Sequence, residues 1–133
     1  MQHGFIKVGP AIPLVSVADT KYNTEQLIAM AHRAHEEGAE VTVFPELCIT
    51  GYTCGDLLTQ QTLLQEVENS VEEFSEATKE YDNIYIIGAP IYVCGALYNC
   101  ALVMQQGLIL GIVPKCYIPN YGEFSELRWW VSG

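Results

Sequence analysis

The spacing of apolar and polar residues along the chain predicts an α/β fold. Alternating apolar residues from Phe5 to Val8 predict a short strand that runs into an irregular connection. From Asn23, which is placed to cap a helix, apolar residues recur every three or four positions until Gly38 ends the pattern. The apolar run from Val41 to Phe44 predicts a second strand, and the strand–helix–strand order favours a parallel pair with a right-handed crossover.

The rest of the pattern predicts one more helix and an antiparallel meander. Helical spacing recurs from Leu64 to Thr78, and we interpret the glutamates on the other side of this helix as a solvated face. The almost wholly apolar segment Ile84 to Val93 predicts a buried strand. Leu97 to Met104 and Leu108 to Val113, each preceded by a turn with glycine, predict adjacent antiparallel strands. Because only two helices are available, we expect them to cover one face of the sheet.

Composition limits the classes of partner. The chain has 133 residues, of which 50% are hydrophobic, and this suits one domain with a core. Its 16 acidic and 6 basic residues give a net charge of −10, which repels nucleic acid and anionic membranes. No apolar stretch approaches the roughly twenty residues of a membrane span, and no signal-peptide pattern opens the chain. We therefore expect a cytoplasmic protein with small-molecule or protein partners, without nucleic-acid or membrane binding.

The cysteines and histidines do not form a metal-binding pattern. The chain has five cysteines, and because none are in C-x-x-C spacing we expect reduced thiols without a disulfide framework or zinc site. They are Cys48, Cys54, Cys94, Cys100 and Cys116. His32, His35 and Glu36 lie on the first predicted helix without an H-E-x-x-H pattern, and we interpret them as part of a solvated polar face.

Charged side chains follow two of the predicted strands at the point where each ends in a proline. Glu46 comes directly after the proline that ends the strand Val41 to Phe44, in a segment rich in turn-forming residues. Lys115 comes directly after the proline that ends the last strand, and Glu123 follows further along. Two acids and a lysine brought together at strand ends would form a partly desolvated cluster suited to acid–base chemistry. The alternatives are a glutamate that caps a strand end and a surface lysine.

Four short motifs in these regions resemble the carbon-nitrogen hydrolase (nitrilase) family. The general resemblance rests on F-P-E at Phe44 to Glu46 and on P-K at Pro114 and Lys115. A narrower one rests on G-Y-x-x-x-D-L-L at Gly51 to Leu58 and on P-N-Y-G-E-F-x-E at Pro119 to Glu126. These two stretches are similar to the amino-terminal glutamine-amidotransferase domain of the glutamine-dependent NAD synthetases. The similarity runs over essentially the whole chain.

The resemblance implies a Glu-Lys-Cys hydrolytic site. In such a site Glu46 is the general base toward a cysteine, Lys115 stabilises the oxyanion, and Glu123 is the second glutamate that positions the reacting groups. Tyr52 and Tyr121 match aromatic positions that line or gate the glutamine pocket. The chemistry requires these groups, since an amide is a poor electrophile and needs both a thiolate and a fixed donor for the developing negative charge.

The resemblance also implies what the 133 residues leave out. The family's nucleophilic cysteine lies downstream of the lysine, and none of the five cysteines here stands in its place. We therefore expect residues 1–133 to be a partial domain, the amino-terminal half of a four-layer αββα sandwich, with negligible activity alone. Its exposed apolar faces predict a homo-oligomer or a completing chain. In the complete family protein, ammonia from glutamine reaches a synthetase domain that uses ATP and magnesium to amidate deamido-NAD, while no cofactor is implied for this domain.

Two other functions stay open. One is a stand-alone nitrilase-type amidase that acts on a different amide, against which the Gly51 to Leu58 and Asn120 to Glu126 stretches argue. The other is a non-catalytic assembly module that keeps the family's surface without its nucleophile.

Overall fold

A computed structural model describes residues 4–133, which form one five-stranded sheet and two α-helices. The strands are β1 (Val8–Pro10), β2 (Val41–Val43), β3 (Ile84–Val93), β4 (Ala96–Gln105) and β5 (Leu108–Pro114). The α-helices are α1 (Thr20–Glu36) and α2 (Gln61–Thr78), and short 3-10 helices lie at Gly55–Thr59 and Glu126–Arg128. No helix of this described part is long and apolar enough to cross a membrane.

The strands lie in the sheet in the order of the sequence, from β1 to β5. β1 pairs with β2, and β2 with β3, in parallel. β3 pairs with β4, and β4 with β5, in antiparallel orientation, with one register shift at Val103/Met104. Both the predicted parallel pair and the predicted meander are confirmed. As a consequence, the carboxyl ends of β2 and β5 point to the same edge of the sheet, with β3 and β4 between them.

Both helices pack on one face of the sheet, as predicted. The core there contains Leu27 of α1 and Phe74 of α2 together with Tyr85 of β3, all fully buried. The ring of Phe74 meets the rings of Phe44 and Tyr85 edge to face, with centroids 6.1 and 5.5 Å apart. On the opposite face Val113 is 58% exposed. The exposed apolar sheet surface that the resemblance implied is therefore present.

Helix α1 begins earlier than the sequence indicated, and the residue predicted to cap it has another role. Asp19 is the cap, because its side chain accepts a hydrogen bond of 3.1 Å from the backbone N–H of Tyr22. Asn23 is fully buried inside the helix and donates to the carbonyl oxygens of Ser16 (2.8 Å) and Ile49 (2.9 Å). It therefore ties α1 to the loop after Glu46. The predicted helix end at Gly38 is confirmed: the residue follows the C-cap with φ +73°.

Two further details differ from the sequence-based expectation. β1 begins at Val8, which pairs with Val41, so the first strand lies further along the chain than Phe5 to Val8. His32 and His35 are half-buried and have partners, although we expected a solvated face. Nδ1 of His32 lies 2.7 Å from the hydroxyl of Tyr81, and the ring of His35 stacks on the ring of Tyr81 at 4.0 Å.

Candidate active site

Glu46 is carried by a backbone segment that crosses β3 directly over Gly88. A Cβ atom on Gly88 would lie 2.4 Å from the nitrogen of Leu47 and 2.7 Å from the carbonyl oxygen of Pro45, so only glycine fits here. Leu47 is fully buried and has φ +52°, a conformation that L-residues rarely adopt and that packing must hold. The thiol of Cys48 lies 3.3 Å from the nitrogen and 3.5 Å from the oxygen of Gly88. These contacts fix the backbone on both sides of Glu46.

Lys115 meets two glutamates. Its Nζ lies 2.8 Å from Oε1 of Glu46 and 3.0 Å from Oε2 of Glu126. The exposed fractions of the three side chains are 28% for Lys115, 43% for Glu46 and 4% for Glu126. Asn99 completes the cluster, because its side-chain amide donates to Oε1 of Glu46 and its backbone oxygen accepts a 2.8 Å bond from the N–H of Lys115. The ends of β2 and β5 thus bring an accessible carboxylate and an ammonium group together.

Glu126 is the buried carboxylate of the cluster, at the start of the second 3-10 helix. Its Oε1 accepts a hydrogen bond of 2.6 Å from the hydroxyl of Tyr52. This hydrogen bond raises the pKa of Tyr52 to about 12, since it favours the protonated phenol. A buried carboxylate is costly unless it is hydrogen-bonded and paired. Lys115 and Tyr52 supply these partners.

The surroundings keep Lys115 protonated. Partial burial lowers the pKa of its ammonium group, but the hydrogen bonds to Glu46 and Glu126 outweigh burial, and the pKa is raised above its usual value of 10.5. Lys115 is therefore a fixed cation at neutral pH. A fixed ammonium group beside an accessible carboxylate can stabilise an oxyanion while the carboxylate accepts a proton.

The loop after Glu46 and the segment after Lys115 are joined outside the cluster. Arg128 donates two hydrogen bonds of 2.8 Å to the two carboxylate oxygens of Asp56, and the indole nitrogen of Trp129 donates a third of 2.9 Å. These hydrogen bonds, those of Arg128 first, lower the pKa of Asp56 to about 2. Below this ion pair, the buried Trp130 packs in one apolar cluster with Leu47. The two segments that carry Glu46 and Glu126 therefore pack as one unit.

The structure brings together some of the predicted site residues and leaves others apart. Glu46 and Lys115 are in direct contact, and Tyr52 reaches them through Glu126. Glu123 is exposed and has no bond to Lys115 among residues 4–133, so the expectation that it is the cluster's second acid is not met. Gly122, with φ +59°, precedes it in the turn that leaves Glu123 on the surface. Tyr121 is 72% exposed and packs against Phe124.

Two members of the cluster, Glu126 and Asn99, were not predicted as site residues from the sequence. Glu126 is the last residue of the P-N-Y-G-E-F-x-E stretch, and the sequence offers two acids three positions apart without indicating which one is buried. Asn99 carried a usable signal, since it is an amide in an otherwise mostly apolar strand, and a buried amide requires hydrogen-bond partners.

Two pockets adjoin the cluster. One, of about 360 Å³, lies on the sheet face without helices and is lined by Glu46, Lys115, Asn99 and the backbone around Gly88. The other, of about 230 Å³, is lined by aromatic side chains with Glu126 at one side, and Tyr52 and Glu123 also line it. Glu46 and Lys115 therefore face space that a small amide would fill.

The cysteines of the described part have other surroundings. None of their sulfur atoms forms a hydrogen bond to Glu46 or Lys115 within residues 4–133. Burial raises the pKa of Cys48 to about 11, and it also raises the pKa of Cys54 and Cys100. Cys94 and Cys116 are exposed. The same residues contain no group of three or more side chains that could hold a metal ion. The described residues therefore supply the site with a carboxylate, that of Glu46, and a cation, that of Lys115.

The sheet and the charged cluster at its strand ends define a nitrilase-type α/β domain. An amidase from Nesterenkonia sp. superposes on it with a TM-score of 0.84 at 18% identity, over 100% of this chain and 50% of the amidase, which shows the shared fold. The family model described as carbon-nitrogen hydrolase matches residues 8–129. The chain belongs to the carbon-nitrogen hydrolase family.

Several proteins that are similar to this chain are named glutamine-dependent NAD(+) synthetase. The glutamine-dependent NAD(+) synthetase of Mycobacterium tuberculosis is 36% identical over 132 residues, which are 99% of this chain and 19% of that protein. The crystal structure of a glutamine-dependent NAD(+) synthetase from Cytophaga hutchinsonii superposes with a TM-score of 0.89 at 27% identity, over 96% of this chain and 22% of the other. The structure of a glutamine-dependent NAD+ synthetase from Acinetobacter baumannii, in complex with ADP, superposes with a TM-score of 0.78 at 30% identity, over 93% of this chain and 24% of the other. The chain thus spans about a fifth of the length of these relatives.

Proposed function

We propose that these residues form part of the glutamine-hydrolysing domain of a glutamine-dependent NAD synthetase. The observation that carries the proposal is the ammonium group of Lys115, which is held between the accessible carboxylate of Glu46 and the buried carboxylate of Glu126. The 36% identity to a relative of that name over 99% of the chain supports this substrate class.

Each member of the cluster has a role in this proposal. Glu46 accepts the proton of a cysteine thiol, since its carboxylate is 43% exposed and therefore open to an incoming group. Lys115 donates to the oxygen of the tetrahedral intermediate and stays protonated throughout. Glu126 holds Lys115 in place and takes the positioning role that the resemblance implied for Glu123. Tyr52 and Glu123 line the pocket of about 230 Å³ in which we place the rest of the substrate, with Tyr121 outside it.

The remaining parts of the activity are proposed to lie in a longer polypeptide. The nucleophilic cysteine would come from sequence outside these 133 residues, because none of the thiols described above is bonded to Glu46 or Lys115. Released ammonia would pass to a synthetase region that binds ATP and magnesium and amidates deamido-NAD. The exposed apolar sheet face would pack against the rest of the domain, and we propose a homo-oligomer for the whole.

The test compares ammonia sources. The complete polypeptide that contains these residues is purified, and NAD formation from deamido-NAD and ATP is measured with glutamine or with an ammonium salt. We expect both to support synthesis, and Glu46→Gln to abolish only the glutamine-dependent reaction. Ammonium-dependent synthesis is the control for folding. Synthesis with ammonium and none with glutamine would overturn the proposal, and the 133 residues alone should release negligible glutamate.

The same preparation decides between the other functions. A stand-alone amidase would hydrolyse short aliphatic amides such as butyramide and form no NAD. An assembly module would do neither and would still form a stable oligomer. The likeness to the Nesterenkonia amidase, at 18% identity, supports the fold and does not favour that activity over glutamine hydrolysis.

A further inference from the structure

One oxygen atom of Glu46 accepts two hydrogen bonds, from Lys115 and from Asn99. We propose that Asn99 is a positioning residue for this glutamate. Together with Lys115 it occupies Oε1 of Glu46, so that Oε2 is the atom that takes the proton from the nucleophile. The inference rests on the proposed function, and it adds a residue and an atom to the site.

Asn99 is built into the sheet and contacts both charged residues. It lies in the middle of β4 opposite Pro90 of β3, and it is 4% exposed. Its side-chain nitrogen donates to Glu46, while its backbone oxygen accepts the 2.8 Å hydrogen bond from the backbone of Lys115. The same residue therefore fixes the side chain of Glu46 and the strand end that carries Lys115. A strand is a more precise support for such contacts than a loop.

Counting the hydrogen bonds of the cluster shows which oxygen of Glu46 is open to accept a proton. Among the described residues no donor is bonded to Oε2 of Glu46, whereas Oε1 has two. An oxygen whose lone pairs already accept hydrogen bonds is the poorer proton acceptor, so the proton goes to Oε2. Lys115 has three N–H donors, and its Nζ lies 2.8 Å from Oε1 of Glu46 and 3.3 and 3.0 Å from Oε1 and Oε2 of Glu126. The 3.3 Å contact is the longest of the three, and it is the one that an oxyanion would replace.

Loss of the amide would free this carboxylate to rotate. With Lys115 as its only fixed partner, Glu46 would exchange its two oxygens, and Lys115 would follow the movement. A misplacement of about 1 Å in such a site costs about 100-fold in rate. Because Asn99 acts on the base, we expect kcat to fall by about this factor while KM changes little.

The test uses two replacements in the complete polypeptide with glutamine as substrate. Asn99→Leu removes the donor at similar size, and Asn99→Asp keeps the shape but places a carboxyl group against Glu46 and Lys115, with Glu126 beyond. When protonated, that carboxyl group donates to Oε1, and when ionised it repels Glu46. The loss of kcat in Asn99→Asp should therefore shrink as the pH falls from about 8 toward the carboxyl range near 4. The loss in Asn99→Leu should not follow this dependence.

A second buried asparagine supplies the control. Asn83 is 5% exposed and donates to the carbonyl oxygen of Ala39, away from the cluster. Asn83→Leu should lower thermal stability and leave kcat of the folded enzyme unchanged. If Asn99→Leu behaves in the same way, or keeps kcat within about threefold of the parent, the proposal is overturned.

Failure of the proposed function gives a different result. In that case the parent enzyme itself hydrolyses no glutamine. A crystal structure of Asn99→Leu then tests the positioning role of Asn99 through the position of the Glu46 carboxylate. A displaced or rotated carboxylate supports the positioning role, and an unmoved one overturns it.

Discussion

Asp56 and Arg128 form a two-point ion pair, with both hydrogen bonds at 2.8 Å, although both side chains are mostly exposed. Asp56 lies in the 3-10 helix Gly55–Thr59 that follows Glu46 along the chain, and Arg128 lies in the short 3-10 helix that begins with Glu126. The pair therefore joins the two segments that carry the glutamates of the cluster. An exposed pair contributes little to global stability. Its effect should appear in the placement of Glu126 beside Lys115.

Arg128→Lys keeps the charge and loses the two-point geometry. We expect kcat for glutamine hydrolysis to fall about tenfold, because Glu126 moves relative to Lys115, with little change in the melting temperature. The pKa of Asp56 is about 2 in the folded chain and ordinarily 3.8. Asp56 is therefore fully ionised above about pH 5, and the stabilisation by the ion pair is lost only as the pH falls from 3.8 through about 2. The ratio of parent to variant kcat should therefore be constant between about pH 5 and 9. A ratio near one at all pH values would contradict this role.

Glu126→Gln and Glu123→Gln form a matched pair from one segment. Glu126 is 3% exposed and bonded to Lys115 and Tyr52, so its neutral replacement should reduce kcat/KM about 100-fold. Glu123 is exposed, and its replacement should change kcat/KM by less than about threefold. Steady-state kinetics of the two variants measure the difference. A larger loss in Glu123→Gln would restore the assignment made from the sequence.

These two residues also mark the limit of the sequence-based prediction. Strands β3 to β5 and the turns between them were predicted closely, because apolar runs with flanking glycines depend on local preferences. The strand-end prolines likewise located Glu46 and Lys115. The choice between Glu123 and Glu126 depends on which side of a turn faces the core, and spacing does not encode this. Asn23 was assigned to a helix cap because local spacing does not reveal its two partners, Ser16 and Ile49, of which Ile49 lies in a distant loop.

Gly88→Ala tests the backbone crossing beneath Glu46. The added Cβ would lie 2.4 Å from the nitrogen of Leu47, and backbone cannot yield as a flexible side chain does. We expect a loss of about 2 kcal/mol or more in the free energy of unfolding, together with loss of glutamine hydrolysis. Gly9→Ala on β1 is the control, because its Cβ would meet only the Cβ of Ala39, at an ordinary contact distance of 3.9 Å. Chemical denaturation of both variants measures the difference, and equal stabilities would show that the crossing tolerates a side chain.

Lys115→Met separates catalysis from stability. The change removes the oxyanion donor, and we expect kcat/KM to fall at least about 100-fold. It also leaves Glu126, whose side chain is 4% exposed, without its charged partner, so the free energy of unfolding should fall by about 3 kcal/mol. Adding Glu126→Gln to Lys115→Met removes the buried charge and should recover most of the stability and none of the activity. Denaturation curves and glutamine kinetics of the single and double variants measure this. If the double variant is as unstable as the single one, the ion pair is not the source of the loss, whereas recovered activity would assign the oxyanion to another donor.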